Sequence, residues 1–103
     1  LKKFKSSDLL ISPAITGAIG DVYMNMGEGE KAINQFMSAA KEADDQMLSP
    51  LYYKKAGNAY LVAGHYDKAI ELFTRIREEY TNTPEGQEAD KYIRQAELLK
   101  ESK

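Results

Sequence analysis

Residues 49–73, SPLYYKKAGNAYLVAGHYDKAIELF, repeat the pattern of an earlier stretch of the same chain. Residues 12–36 read SPAITGAIGDVYMNMGEGEKAINQF, and a shift of 37 positions aligns the two stretches. The shift matches Ser12-Pro13 with Ser49-Pro50, Gly20 with Gly57, Tyr23 with Tyr60, Gly27 with Gly64, Lys31-Ala32-Ile33 with Lys68-Ala69-Ile70, and Phe36 with Phe73. An ordered set of matches in one register indicates an internal structural repeat.

Each copy has the pattern of two helices joined by a glycine-containing turn. In the second copy, apolar residues recur at three- and four-residue spacing on both sides of Gly64, which is typical of amphipathic helices. Ser12, Ser49 and Thr83 each precede a proline, and this pair predicts a helix start because the hydroxyl can cap the helix and proline has no N–H to satisfy. No segment alternates with a period of two, so we expect no strands.

The repeat resembles the tetratricopeptide repeat (TPR), whose unit of about 34 residues forms a helix–turn–helix. The second copy carries the family pattern at Ala56-Gly57-Asn58-Ala59-Tyr60, Gly64, Tyr66, Ala69 and Phe73. The first copy departs from it at Thr16 and Gly29, where the family usually has aromatic residues. The resemblance covers roughly residues 12–100 and implies a protein-binding scaffold.

We therefore expect an all-α fold, an antiparallel helix-hairpin solenoid with the right-handed superhelix that the resemblance implies. Five main helices should follow a short N-terminal helical remnant, and the hairpins must stack because one hairpin cannot bury its apolar face alone. Gly20, Gly57, Ala32 and Ala69 should allow the helices to approach closely. A single domain, 1–103, is divided into 1–11 as the end of a preceding repeat, 12–48 as repeat 1, 49–82 as repeat 2 and 83–103 as a C-terminal capping helix.

The resemblance also implies a binding surface, because the first helix of each TPR hairpin lines a concave groove that takes an extended peptide or a partner helix. We carried the family's groove positions over to this sequence one by one. The candidate partner-binding residues are then Asp21, Met24, Asn25, Lys54, Asn58, Leu61, Val62 and Tyr92. Asparagine suits a peptide backbone because its amide offers both a donor and an acceptor. Methionine and leucine add adaptable apolar contacts.

Composition excludes several other classes of function. The chain has 103 residues, 43% hydrophobic and 29% charged, with a net charge of -2, so it has no positive field for nucleic acid. It has no cysteine, which excludes disulfides, thiolate zinc sites and a cysteine nucleophile. No apolar run approaches the roughly 20 residues that cross a bilayer, so we expect no membrane insertion by this chain.

Catalytic, metal and cofactor sites are not predicted. Gly27-Glu28-Gly29-Glu30-Lys31-Ala32 matches a dinucleotide-binding string, but a helix and not a strand precedes it, and its glutamates would repel phosphate. His65 is the only histidine and no hydroxyl pairs with it by sequence. Asp44-Asp45 and Glu78-Glu79 are neighbours in sequence, and neighbours on a helix do not face one ligand.

The sequence leads to one predicted function and one alternative. The first is an interaction scaffold that binds a protein or peptide in the groove. The alternative is a structural module that stacks on other repeats or self-associates as a homo-oligomer through an exposed edge carrying Phe4, Ile15 and Ile19. The first residue is Leu1, which suggests a fragment or a processed chain. Location is open, and the resemblance of residues 79–86 to repeat junctions of bacterial envelope proteins favours the periplasm.

Overall fold

The computed structural model describes the backbone of residues 6–102 and the side chains of residues 12–102. Its helices are α1 Ser6–Asn25, α2 Gly29–Ala43, α3 Leu48–Val62, α4 Tyr66–Glu79, α5 Pro84–Gln87 and α6 Ala89–Glu101. Within these residues there is no strand, so the all-α prediction is confirmed for the described chain.

Each long helix packs mainly on its neighbours in chain order. α1 packs on α2, α2 on α3, α3 on α4, and α4 on α6, while the short α5 contacts both α3 and α4. The resulting body is elongated and thin, with extents of 52 × 32 × 17 Å. One apolar cluster runs through it, formed by Ala32, Ile33, Phe36, Ala40, Tyr53, Ala56, Ala59, Ala69, Leu72, Phe73, Ile76 and Tyr92.

The turns at Gly27 and Gly64 end α1 and α3 in the same way, as the repeat predicts. Both glycines have positive φ, 76° and 85°, a conformation that side chains with a Cβ rarely adopt. The N–H of the next residue, Glu28 or His65, donates to the carbonyl of Tyr23 or Tyr60, at 2.8 Å in each case. This is the Schellman arrangement, which satisfies carbonyl groups that the end of a helix leaves free.

The close approach of helices within each hairpin also follows the repeat. A Cβ on Gly20 would lie 2.6 Å from Cε1 of Phe36, and a Cβ on Gly57 would meet the same atom of Phe73 closer still. Phe36 and Phe73 are both fully buried. The two phenylalanines therefore occupy equivalent environments, each packed against a glycine of the preceding helix.

The predicted helix start at Ser12 is wrong. α1 extends from Ser6 and contains Pro13, so residues 6–11 continue α1 and do not form a separate N-terminal remnant. Ser12 does not act as a cap, because its hydroxyl donates to Oε1 of Glu42 on α2 at 3.3 Å. Residues 1–5 of the predicted remnant lie outside the described residues.

The predicted cap at Ser49 is also wrong, because Asp45 performs that role. Oδ1 of Asp45 accepts from the N–H groups of Met47 at 2.7 Å and Leu48 at 2.8 Å, and α3 begins at Leu48. The buried hydroxyl of Ser49 instead donates to the carbonyl of Ala40 at 2.8 Å and so joins α3 to the end of α2. An aspartate caps as well as a serine does, and tertiary contact decides between them.

The helix start predicted at Thr83 is confirmed, but the helix that follows it is divided into two. Thr83 accepts a hydrogen bond from the N–H of Gly86 at 3.0 Å, and Pro84 takes the first helical position. The single capping helix expected from Pro84 onward is instead α5 and α6, separated at Glu88. Both segments pack on α4, and α5 also contacts α3.

Replacing Thr83 with alanine is expected to lower the free energy of unfolding by about 1 kcal/mol, because a buried N–H loses its cap. Urea unfolding followed by circular dichroism measures this loss. Thr81→Ala is the matched control, since Thr81 is exposed and precedes the helix without capping it. Equal stabilities for the two variants would contradict a capping role for Thr83.

Candidate functional site

A groove lies between α1 and α3 on the side where the sequence predicts partner binding. Its volume is about 360 Å³, and it is lined by Asp21, Met24, Asn25, Phe36, Lys55 and Asn58. Four of these residues, Asp21, Met24, Asn25 and Asn58, are candidates from the sequence. We call this feature the α1–α3 groove.

Two contacts between α1 and α3 fix the width of this groove. A Cβ on Gly17 would lie 2.5 Å from Cε1 of Tyr52, so the absence of a side chain allows the tyrosine ring to rest on α1. One helical turn further along α1, Nζ of Lys55 donates to Oδ1 of Asp21 at 3.0 Å. This ion pair is half exposed and adds little to stability, but it ties the helices together across the groove.

Lys55 is a groove residue that the sequence analysis missed. The TPR resemblance pointed to Lys54, its neighbour, but adjacent residues on a helix point about 100° apart. Nζ of Lys55 lies 5.7 Å from the centroid of the Phe36 ring and covers the floor of the groove. No signal in the sequence could have identified it, because the shift of 37 positions pairs Asp21 with Asn58 and not with Lys55.

Lys54 belongs to a second cluster, formed with Tyr92 and Glu88. Its Nζ lies 5.2 Å from the centroid of the Tyr92 ring, and the Tyr92 hydroxyl donates to Oε1 of Glu88 at 2.6 Å. Burial, together with this hydrogen bond, raises the pKa of Tyr92 to about 12. The same hydrogen bond lowers the pKa of Glu88, helped by the charges of Lys91 and Lys54. At neutral pH the cluster is therefore a tyrosine held between a cation and a carboxylate.

The remaining candidates lie outside the α1–α3 groove. Tyr92 is buried against Phe73, with ring centroids 5.4 Å apart, so its ring is a core contact and presents little surface to a partner. Leu61 is half-buried and packs against the core cluster. Val62 is exposed near the end of α3 and does not line the groove.

The residues considered for other chemistry have structural contacts. Gly29, from the dinucleotide-like string, begins α2 and is buried against the carbonyl of Ala59 and the N–H of Ala63. That contact with the α3 backbone explains why an aromatic residue does not fit at this position of the first copy. Nε2 of His65 lies 2.5 Å from Oε2 of Glu30, an exposed pair that joins the two turns.

The part of the chain that the structure describes lacks two further features. No group of three or more histidine or acidic side chains in it has the geometry to hold a metal ion. None of its helices has the length and apolar character needed to cross a membrane.

Comparison of the chain with protein-family models, curated proteins and solved structures finds no match.

Proposed function

We propose that this chain is a TPR-type helical repeat scaffold that binds an extended segment of a partner protein in the α1–α3 groove. The observation that carries the proposal is the groove itself, which brings Asp21, Met24, Asn25 and Asn58 together where the family resemblance puts the ligand. Two equivalent hairpins, each closed by a glycine–phenylalanine contact, support the repeat architecture. The proposal assigns no catalytic residue, metal or cofactor.

The chemistry of the groove indicates what kind of segment it binds. Asp21 and Lys55 neutralise each other at 3.0 Å, so the lining has no net charge to select a charged ligand. Asn25 and Asn58 supply amides that can both donate to and accept from a peptide backbone. Half-buried Met24 supplies the apolar contact in the lining, because the Phe36 ring beneath it is buried. This combination fits an uncharged extended peptide with one apolar side chain directed into the groove.

Selection from a random peptide library tests this function, followed by calorimetry of the chain with the selected peptides. The expected sequences are uncharged at their centre and contain an apolar anchor. Asn58→Ala should weaken binding about 3- to 10-fold, because an amide that pairs with the peptide backbone is lost. Asn34→Ala is the matched control, since Asn34 is exposed on α2 and does not line the groove.

Two results would oppose the proposal. One is a set of selected peptides whose binding is reduced equally by the Asn34 and Asn58 substitutions. The other is a map of amide chemical shifts in which the peptide perturbs α4 and α6 and leaves α1 and α3 unchanged. The proposed location in a bacterial envelope is tested separately, by fractionating cells that produce the protein from its natural gene.

A further inference from the structure

The helix α1 is apolar on two opposite faces. One face is buried in the fold and contains Gly17 and Gly20, which meet Tyr52 and Phe36. The opposite face exposes four large apolar side chains: Ile15 at 55%, Ile19 at 43%, Val22 at 56% and Met26 at 61%. At 100° per residue these four lie within about 60° of one another around the helix. We call them the α1 stripe. A helix that is apolar all round is normally covered on both sides.

The second copy of the repeat shows how such a face is covered. The shift of 37 positions places the α1 stripe at Tyr52, Ala56, Ala59 and Ala63 of α3. In α3, Ala56 and Ala59 are completely buried, and Gly29 at the start of the antiparallel α2 lies against Ala59 and Ala63. The same face that an antiparallel helix covers on α3 is thus open on α1, where three of its four side chains are larger.

We propose that two copies of this chain pair through the α1 stripe, with their α1 helices antiparallel about a two-fold axis. The spacing of the stripe is four, three and four residues, which reads the same in both directions. A two-fold axis between Gly20 and Asp21 therefore places Ile19 opposite Val22 of the second copy, and Ile15 opposite Met26. Such self-complementarity is what a two-fold interface requires, because the same patch is used on both subunits. This inference is independent of the groove.

The charges around the α1 stripe favour a second copy. Residues 12–26 contain a single charged side chain, Asp21, and Lys55 of the same chain already neutralises it. Self-pairing therefore brings no uncompensated like charges together. The exposed leucines of α6, Leu98 and Leu99, lie instead among charged residues such as Lys100, which makes that end of the molecule a poorer self-pairing surface.

The rim of the stripe adds complementary charges. Glu42 lies at the N-terminal end of this rim, where Thr16 donates to it at 3.0 Å. Lys31 lies at the C-terminal end, with its Nζ 5.8 Å from the centroid of the Tyr23 ring and 3.5 Å from Glu28. Antiparallel pairing brings the Glu42 end of one copy to the Lys31 end of the other, because a two-fold axis perpendicular to the helices keeps both rims on the same side of the interface.

The exposed apolar area of the α1 stripe indicates how strongly two copies should associate. Its four side chains expose roughly 400 Å² of apolar surface, which equals the largest patch on an ordinary monomer. Two copies would remove roughly 800 Å² of it from water, and the rim brings the total near the lower limit of specific interfaces, about 1,200 Å². We therefore expect a weak and reversible dimer, as small interfaces usually form.

Sedimentation of the 103-residue chain across a dilution series, from about 1 μM to about 1 mM, tests the pairing. The dimer should form in this range and stop at two copies. Val22→Glu should weaken it at least 100-fold, while Leu98→Glu, a change at an equally exposed apolar residue, should leave it unchanged. Circular dichroism confirms that both variants are folded. A chain that stays monomeric, grows beyond a dimer, or responds equally to both substitutions would overturn the proposal.

Disulfide cross-linking tests the orientation of the two α1 helices. The chain has no cysteine of its own, so any disulfide must join the introduced cysteines. Under oxidation, Ile15→Cys and Met26→Cys proteins should form the mixed disulfide when combined. Ile15→Cys alone should cross-link poorly, because antiparallel pairing separates the two copies of residue 15 by about 16 Å along the helix axis. Efficient cross-linking of Ile15→Cys to itself would contradict the antiparallel arrangement.

Discussion

Phe73→Ala is expected to lower the free energy of unfolding by about 3–5 kcal/mol, the largest loss that we foresee for a single substitution. The Phe73 ring is 0% exposed, packs on Gly57 of α3 and lies 5.4 Å from the Tyr92 ring of α6. It therefore joins three helices, and its removal leaves a cavity that none of them can fill without moving. Domains of this size are stable by about 5–15 kcal/mol, so a large part of the stability depends on this ring.

Urea unfolding of wild type and variant measures the loss as a shift of the midpoint at constant slope. Phe36→Ala should give a similar loss, because Phe36 is 1% exposed and packs on Gly20 in the equivalent place of the first hairpin. Leu98→Ala is the control, since its side chain is 57% exposed and its loss should stay within about 0.5 kcal/mol. A loss below about 1 kcal/mol for both phenylalanines would show that their surroundings are not the closely packed ones described above.

Gly57→Ala is expected to destabilise the chain by about 1–3 kcal/mol, although alanine is the better helix former by about 1 kcal/mol. The added Cβ would lie 2.6 Å from Cζ of Phe73, and nearer still to its Cε1. Because the ring is fully buried, it can move away only by displacing its other neighbours. The steric cost therefore exceeds the gain in helix propensity, and the sign of the change opposes the usual effect of this substitution in a helix.

A second substitution at the contact distinguishes this steric cause from a general effect on α3. Phe73→Leu shortens the side chain that the new Cβ would meet. In that background Gly57→Ala should cost at least about 0.5 kcal/mol less than in wild type, which is the coupling expected between residues in contact. Additive effects in this double-mutant cycle would mean that Gly57 is needed for a reason other than Phe73.

The two proposed surfaces lie on different sides of α1. The α1–α3 groove uses Asp21, Met24 and Asn25, whereas the α1 stripe uses residues on the far side from Gly17 and Gly20. A dimer through the stripe would leave the groove of each copy accessible and would present two grooves on one particle. A partner that carries two binding segments would then be held more tightly than one that carries a single segment.

The sequence by itself determined the features that depend on local backbone chemistry and on a repeated pattern. The turns at Gly27 and Gly64, the cap at Thr83 and the close approach of helices at Gly20 and Gly57 were predictable, whereas the phenylalanine that each of the last two glycines meets was not. A turn with positive φ favours a residue without a Cβ, and a cap needs a side-chain oxygen at one position. The 37-residue period then indicates that the same local requirement occurs in both copies of the repeat.

Only the tertiary structure decided which of several suitable residues performs each task. Asp45 caps α3 in place of Ser49, and Ser12 contacts Glu42 instead of starting a helix. Lys55 reaches the groove in place of Lys54. Asp45 and Ser49 both offer an oxygen that can cap a helix, and Lys54 and Lys55 have the same side chain, so the choice depends on which part of the fold lies within reach. The position of that part is set by the packing of the whole chain.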